Sequence, residues 1–262
     1  MKPNKIHLIY YSPTGTSKKV LEDISKGFDM KTVERIDLTP KEDASNKTIS
    51  ANDLAIIGVP TYGGRVPIVA AQRLKAVKGN DTPAVIVVLY GNRAFEDSMI
   101  ELRDIVSGQG FKTIAGAAFI GEHSFSSKTT PIAVGRPDAE DLAKARTFGE
   151  QVRAKIDAMT KPVEISVPGN KPYKERNPAS PRAPETTAEI CTLCGACAKV
   201  CPTKSITVTD KVETAASTCT ACSACVKVCP TGARVWKNEG IFKAATWLNR
   251  EYSKRREPEF FL

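Results

Sequence analysis

The residues best suited to chemistry are eight cysteines, all of which lie between positions 191 and 229 of the 262-residue chain. Thiolates bind soft metal ions and iron–sulfur clusters, and thiols can also pair as disulfides. Cysteines packed this closely, in a chain that we expect to stay in the cytoplasm, favour metal ligation. Structural zinc and a disulfide knot are the alternatives. If all eight are ligands, none is left to act as a nucleophile.

The cysteines form an internal repeat with the pattern C-x2-C-x2-C-x3-C-P-T in each copy. The ligand positions are Cys191, Cys194, Cys197 and Cys201 in the first copy and Cys219, Cys222, Cys225 and Cys229 in the second. This spacing resembles that of bacterial two-cluster ferredoxins, which implies two [4Fe–4S] clusters. In that motif the cysteine before each proline ligates the other cluster. The resemblance therefore implies one ligand set of Cys191, Cys194, Cys197 and Cys229 and another of Cys219, Cys222, Cys225 and Cys201.

A second candidate site follows the first apolar run of the chain, residues 6–11. That run leads directly into Ser12, Pro13, Thr14, Gly15, Thr16 and Ser17, where a helix is predicted to begin. Hydroxyls and backbone N–H groups at a helix N-terminus bind anions, and Gly15 allows the backbone to approach closely. The loop contains no lysine and is therefore not a Walker loop for nucleoside triphosphates. It favours a phosphate monoester, with a well-capped helix start as the alternative.

Two further loops could hold a flat ring beside that phosphate site. The first consists of Pro60, Thr61, Tyr62, Gly63 and Gly64, and the second includes Tyr90, Gly91, Asn92, Arg93 and Phe95. Glycines permit close backbone contact, and either tyrosine could stack on a ring or pack in the core. The three loops resemble those of flavodoxins, which implies bound flavin mononucleotide (FMN). We expect loop 121–125 to lie at the rim, with His123 as a surface residue.

The elements that must position these loops alternate between strands and helices. Strands are predicted at 6–11, 32–38, 54–59, 84–89 and 113–120, and helices at 16–28, 68–77, 95–106 and 138–159. Five strands that alternate with helices indicate an α/β fold with a doubly wound parallel sheet. The ligand-binding loops would then follow the carboxyl ends of strands around the switch point of the sheet.

Taken together, the motifs resemble the flavodoxin–ferredoxin fusion proteins of anaerobic bacteria and archaea. The resemblance implies a flavodoxin-like five-stranded domain at 1–160, a linker at 161–188 and a small α+β two-[4Fe–4S] ferredoxin domain at 189–236. A C-terminal helix, predicted within 240–256, and a tail complete the chain at 237–262. The linker contains six prolines and is interpreted as an ordered wrap or an extended spacer.

The hypothesis for function is electron transfer. FMN would exchange one or two electrons, the clusters one at a time, and an external redox protein would be the partner, with a homodimer as a further expectation. The alternatives are a flavin-dependent reductase of a small molecule or disulfide, fed by the clusters, and a redox-sensing module. An enclosed flavin favours the carrier, and an open pocket over the ring favours the reductase. No catalytic residue is assigned.

Charge and hydropathy narrow the remaining classes of function. The formal charge is +9, but two oxidised clusters and an FMN phosphate would reduce it to about +3. The excess of basic residues would then mainly offset the negative charge of the bound cofactors, and no nucleic acid is expected as a partner. No run of 18 apolar residues occurs, so no membrane span is expected. The apolar run 6–11 is too short for a signal-peptide core, which predicts a cytoplasmic protein.

Overall fold

The computed structural model describes residues 2–30, 32–40, 46–176 and 181–262. Apolar runs and amphipathic stretches alternate through the first half, and they form its strands and helices. In chain order these are β1 (Ile6–Tyr10), α1 (Thr16–Lys26), β2 (Val33–Asp37), β3 (Lys47–Ile49), β4 (Leu54–Pro60), α2 (Ile68–Leu74), β5 (Val77–Gly79), β6 (Thr82–Tyr90), α3 (Ser98–Ser107), β7 (Phe111–Ile120) and α4 (Ala139–Ala158).

The second half is built from short elements around the cysteines, followed by one longer helix. These elements are β8 (Glu185–Thr186), a 3-10 turn at Ala188–Ile190, α5 (Ala196–Lys199), β9 (Ile206–Val208), β10 (Val212–Thr214), α6 (Ala224–Lys227), β11 (Arg234–Val235), α7 (Glu239–Glu251) and β12 (Glu259–Phe261). Among the residues described, no helix is long and apolar enough to cross a bilayer.

The central sheet has six strands in the order β12-β7-β6-β4-β1-β2. Its five predicted strands are confirmed, and all of them pair in parallel in the 2-1-3-4-5 order of the flavodoxin-like fold. The sixth strand was not predicted. It is the C-terminal β12, which pairs antiparallel with β7 and places Phe261 opposite Gly116. Three residues after a proline give too short a pattern to identify a strand from sequence.

Both faces of the sheet are covered, as the nearly unbroken apolar strands require. Helices α2 and α3 bury one core with Leu74 and Leu102, and helices α1 and α4 bury the other with Leu21 and Phe148. Helix α4 crosses α1 at Gly149, where an added Cβ would collide with the carbonyl of Ile24. A capping box between Asp138 and Asp141 begins α4.

Several predicted boundaries were wrong, and each has a local cause. Helix α2 ends at Leu74 because residues 77–79 form β5, which pairs with β3 in a separate two-stranded sheet. Helix α3 begins at Ser98, since residues 95–97 remain in the preceding loop and the Asp97 N–H bonds to the Gly64 carbonyl. Helix α7 ends at Glu251, where the chain turns towards β12.

The proline-containing segment between the halves lies against α3. Asp97 accepts hydrogen bonds from the backbone of Asn170 (2.8 Å) and Lys174 (2.6 Å). Glu101 forms ion pairs with Arg65 and Arg176, each at 2.8 Å. Of the six prolines, Pro178 lies outside the described residues. Because Asp97 just before α3 and Glu101 within α3 bind this segment, its described part is an ordered wrap.

Candidate cofactor sites

The eight cysteines line two separate cavities. One, here called the outer cavity, is lined by Cys191, Cys194, Cys197 and Cys229. The other, here called the inner cavity, is lined by Cys201, Cys219, Cys222 and Cys225. Each cavity therefore takes three thiols from one copy of the repeat and the cysteine before proline from the other copy, the grouping that the ferredoxin resemblance implies. No disulfide links any of them.

Left-handed residues shape both cysteine loops. Leu193 (φ 53°) and Gly195 (φ 75°) lie between the first three cysteines, and Ala221 (φ 53°) and Ser223 (φ 61°) lie in the second copy. This conformation is costly for residues other than glycine. It turns successive N–H groups towards a common centre, where they can bind an anion. The strained loops fit a cluster with bridging sulfides better than a single cation.

Hydrogen bonds to sulfur support that fit. The Ser205 N–H donates to Cys201 Sγ at 3.3 Å. Burial acts to raise the pKa of Cys229, but backbone N–H groups of Arg234, Thr231 and Ala233 outweigh it, so the pKa lies below its usual value. Among the described residues, no three His, Cys, Asp or Glu side chains are arranged to hold a single metal ion.

The two cavities differ in exposure. Cys194 in the outer cavity is exposed, although Cys197 beside it is buried, whereas no cysteine of the inner cavity is exposed and Cys222 and Cys225 are 8% and 7% exposed. Burial raises the pKa of the Cys222 thiol to about 11. Three residues that precede or separate the ligands of the outer cavity are exposed hydrophobics, namely Ile190, Leu193 and Val228. The outer cavity therefore faces solvent, and the inner cavity faces the first half of the chain.

The predicted phosphate loop is an open helix start. Gly15 occupies the N-cap position of α1 with φ 81°, and no side chain caps the helix from that position. The Ser12 hydroxyl accepts the Lys18 N–H at 3.1 Å, which holds the loop against the first turn. The Ser17 hydroxyl is buried and finds no hydrogen-bond partner among the described residues. An unsatisfied donor at a helix N-terminus fits a bound phosphate.

This loop and the two ring loops line one cavity of about 310 Å³, here called the flavin cavity. Twelve of the fifteen predicted residues line it: Ser12, Thr14, Thr16, Ser17, Pro60, Thr61, Tyr62, Gly63, Gly64, Tyr90, Gly91 and Arg93. Its volume lies at the lower end of the range for small-molecule pockets, about 300–1,000 Å³.

Three predicted residues, Gly15, Asn92 and Phe95, do not line the cavity. Gly15 contributes the backbone turn that begins α1. The Asn92 side chain points towards the C-terminal tail and donates to the carbonyls of Tyr252 (2.6 Å) and Lys254 (2.8 Å). Phe95 is buried in the core, with its ring 5.5 Å from that of Tyr90.

The rest of the cavity wall comes from distant segments that the sequence reasoning missed. These residues are Arg182 from the wrap, Thr220 and Ala221 from the second cysteine loop, and Ala244, Trp247 and Leu248 from α7. No local pattern could have identified them, because each segment reaches the cavity only through the docking of the second half. Pro13, Leu89 and Ala94, which adjoin predicted loop residues, also line the cavity.

Loop 121–125 lines the flavin cavity as expected, but His123 is not a surface residue. It is partly buried, and its ring fills the space beside Gly91 that an added Cβ would need. Burial lowers the pKa of His123 to about 4, and the positive charges of Lys227 and Arg93 act in the same direction. The imidazole is therefore neutral near pH 7, and its Nδ1 accepts the Phe125 N–H at 3.0 Å.

The inner cavity and the flavin cavity share a wall. Thr220 lines both of them, and it lies in the loop between Cys219 and Cys222. Burial, followed by the charge of Cys222, raises the pKa of Tyr62 well above its usual value. Only one loop of the second half therefore separates the two cavities.

Two polar contacts hold the halves together near this wall. The Arg73 guanidinium donates to the Pro202 carbonyl at 2.7 Å and to the Leu38 carbonyl at 2.9 Å. It thereby links the residue that follows Cys201 to the first half. Lys227 in α6 forms an ion pair with Glu122 in the rim loop.

The cysteine-containing segment matches a known protein family. Residues 190–233 match the 4Fe-4S dicluster domain family. Together with the eight cysteines in two cavities, this match makes the segment a dicluster iron–sulfur domain. No curated protein matches the chain.

Solved structures similar to the chain include two flavodoxins. One, from the domain Archaea, is 14% identical, with a TM-score of 0.38, and covers 58% of this chain and 99% of its own. Oxidised flavodoxin 1 from Bacillus cereus is 16% identical, with a TM-score of 0.41, and covers 60% and 100%. Rubredoxin oxygen:oxidoreductase from Desulfovibrio gigas is 17% identical, with a TM-score of 0.42, and covers 60% of this chain and 37% of its own.

Proposed function

We propose that this electron-transfer protein exchanges electrons between FMN in the flavin cavity and a [4Fe–4S] cluster in the inner cavity, within a single chain. A second cluster in the outer cavity would exchange electrons with an external redox protein. The observation that carries the proposal is Thr220, which lines both the flavin cavity and the inner cavity. Bound FMN supplies one- or two-electron chemistry and the clusters supply one-electron chemistry, so their proximity would convert one into the other.

The residues of the flavin cavity fit FMN. Ser17 Oγ, Thr61 Oγ1, Thr220 Oγ1 and Arg182 Nε are buried and have no hydrogen-bond partner within the described part of the chain. Buried polar atoms are rarely left unsatisfied, so a polar ligand is expected beside them. Ser17 and its loop would hold the phosphate, while Tyr62 and Tyr90 would lie against the ring.

The exposure of the outer cavity supports its role as the exchange point with a partner. Cys194 is exposed, and the adjoining Leu193 is 41% exposed. Ile190 and Val228 are also exposed, and an exposed apolar patch of this kind would serve as a docking site for another protein. The inner cavity has no exposed cysteine, because Cys222 and Cys225 are buried and Cys201 and Cys219 are partly buried.

The reductase alternative finds less support. The flavin cavity of about 310 Å³ is lined by Trp247 and Leu248 of α7 as well as by the three loops. A substrate would have to reach the ring past these side chains. A homodimer is not required, because the flavin cavity and the inner cavity adjoin in one chain.

Flash photoreduction of the flavin in the anaerobically purified full chain tests the proposal. Electron exchange should be followed by flavin absorbance and by freeze-quench electron paramagnetic resonance (EPR) of the clusters. We expect a first-order rate constant that is independent of protein concentration. A rate proportional to protein concentration would show exchange between chains, and the absence of exchange would refute the converter function.

A further inference from the structure

One buried cation breaks the symmetry of the cysteine repeat. Each copy continues past its C-P-T sequence, and Ile206 in the first copy is equivalent to Arg234 in the second, 28 residues later. Ile206 is 7% exposed and packs with Cys197 and Cys225. Arg234 is 2% exposed. Equivalent positions of the repeat thus carry an apolar side chain and a buried positive charge.

Neutral oxygen atoms accept only some of the hydrogen bonds that the Arg234 guanidinium can donate. Its Nη1 donates to the Thr186 hydroxyl at 2.6 Å, and its Nη2 donates to the Pro184 carbonyl and the Thr214 hydroxyl, each at 2.8 Å. Its Nε is buried and has no hydrogen-bond partner among the described residues. Within the described part of the chain, no carboxylate pairs with Arg234. A buried cation without a counter-charge is strongly unfavourable, so a negative group is expected nearby.

Among the residues that the structure describes, the groups positioned to supply that charge are the cysteine ligands. Arg234 lines the outer cavity, and its Nη2 lies 4.0 Å from Cys225 Sγ in the inner cavity. Its positive charge also acts on Cys197 in the outer set and on Cys219 in the inner set. The guanidinium therefore lies between the two ligand sets and close to both.

We infer that Arg234 is a positioning residue whose charge is shared by the two clusters and raises the reduction potential of both. The inference rests on the proposed function only in that both cavities hold [4Fe–4S] clusters. Reduction adds one negative charge to a cluster, and a nearby cation in a low-dielectric site stabilises that charge. The inner cluster should respond more strongly, because Cys225 Sγ is the sulfur within reach of the guanidinium.

Redox titration of R234Q, monitored by EPR on the anaerobically purified full chain, tests this inference. We expect the one-electron reduction equilibrium of each cluster to become less favourable by at least about tenfold, equivalent to about 59 mV per cluster. The inner cluster should show the larger shift. R234K keeps the charge and should retain most of the wild-type potential.

K211Q is the matched control. Lys211 lies in the same domain, but it is exposed and pairs with Glu213 at 2.7 Å. Its removal changes the net charge by the same amount and should leave both potentials within a few millivolts, since exposed charges are screened. Equal shifts in K211Q and R234Q would attribute the effect to net charge and overturn the inference.

Iron and sulfide content separates an electrostatic role from a structural one. If R234Q binds both clusters at unchanged potentials, Arg234 only holds the fold and the inference is wrong. If R234Q loses iron, the R182K variant labelled with 15N-arginine decides, because it keeps Arg234 and removes another arginine whose charge acts on Cys219. Pulsed EPR of each reduced cluster should detect a guanidinium 15N coupling, and its absence would overturn the inference. None of these outcomes depends on electron exchange with the flavin, so a failure of the proposed function remains distinguishable.

Discussion

The inner and outer cavities have the same ligand spacing and opposite surroundings. Cys222 and Cys225 in the inner cavity are buried beside the flavin cavity, whereas Cys194 in the outer cavity reaches solvent. The cysteine motif therefore determines how a cluster is held and leaves open where that cluster sits in a chain of electron carriers. That position depends on which copy of the repeat docks on the first half.

Removal of one cysteine ligand, from the inner cavity in one variant and from the outer cavity in another, should give the largest difference in flavin-to-cluster electron exchange. C222A should lose about half of the iron and abolish flavin-to-cluster exchange, because the inner cluster adjoins the flavin cavity. C194A should lose a similar amount of iron and keep that exchange. Flash photolysis with iron quantitation measures both. If C194A also abolished exchange while the inner cluster remained intact, the assigned order of the two cavities would be wrong.

Loss of the tail anchor should have the next largest effect. Asn92 is buried, donates to two tail carbonyls and has a φ of 66°. N92A removes both hydrogen bonds and places alanine in a left-handed conformation, so unfolding free energy should fall by about 3 kcal/mol. FMN affinity should fall as well, because the anchored tail directly follows α7, which lines the flavin cavity.

The matched control for N92A is N92G, which removes the same hydrogen bonds without the conformational cost. Chemical denaturation and flavin titration measure the two effects. Equal stabilities for N92A and N92G would show that the strain at this position is negligible. Unchanged FMN affinity in both variants would show that the tail does not hold α7 over the cavity.

Arg73 should contribute to the contact between the halves on the inner side only. R73A removes the hydrogen bond to the Pro202 carbonyl and should lower the unfolding free energy by about 2 kcal/mol. The inner cluster should become more labile to chelators, and the outer cluster should not. Iron release followed by EPR distinguishes the clusters. R73K keeps the charge and should lose less unfolding free energy than R73A. Equal lability of the two clusters would contradict the role assigned to Arg73.

The smallest effect concerns His123, which adjoins the helix that carries Cys225. Its folded-state pKa of about 4 means that below pH 6.5 the unfolded chain binds a proton that the folded chain does not. Stability should therefore decrease as the pH falls from about 6.5 towards 4, by about 1 kcal/mol at pH 5.5. H123Q should lose that share of the pH dependence. Denaturation at about pH 7.5 and 5.5 compares the two proteins, and identical slopes would contradict a neutral His123.

Sequence spacing predicted those parts of the molecule that depend on local geometry. The cysteine ligands, the turn at Gly15 and the five parallel strands belong to this class, since each has its own period or turn residue. Asn92 and Phe95 do not line the flavin cavity, because they lie in a loop whose neighbouring residues meet the cavity while their own side chains turn elsewhere. Thr220 and Arg182 reach the cavity through long-range docking, for which a single sequence carries no period.

The segment that carries the cysteines is fastened to the first half on both sides. Before it, the wrap bonds to Asp97 in the first half, and after it, β12 pairs with β7. Tethering at two points gives the second cysteine loop a high effective concentration at the flavin cavity. An external oxidant would have to compete with that tethered loop for access to the flavin. Under the proposed function, the double attachment would keep the cluster segment as the preferred exchange partner of the flavin in the presence of other electron acceptors.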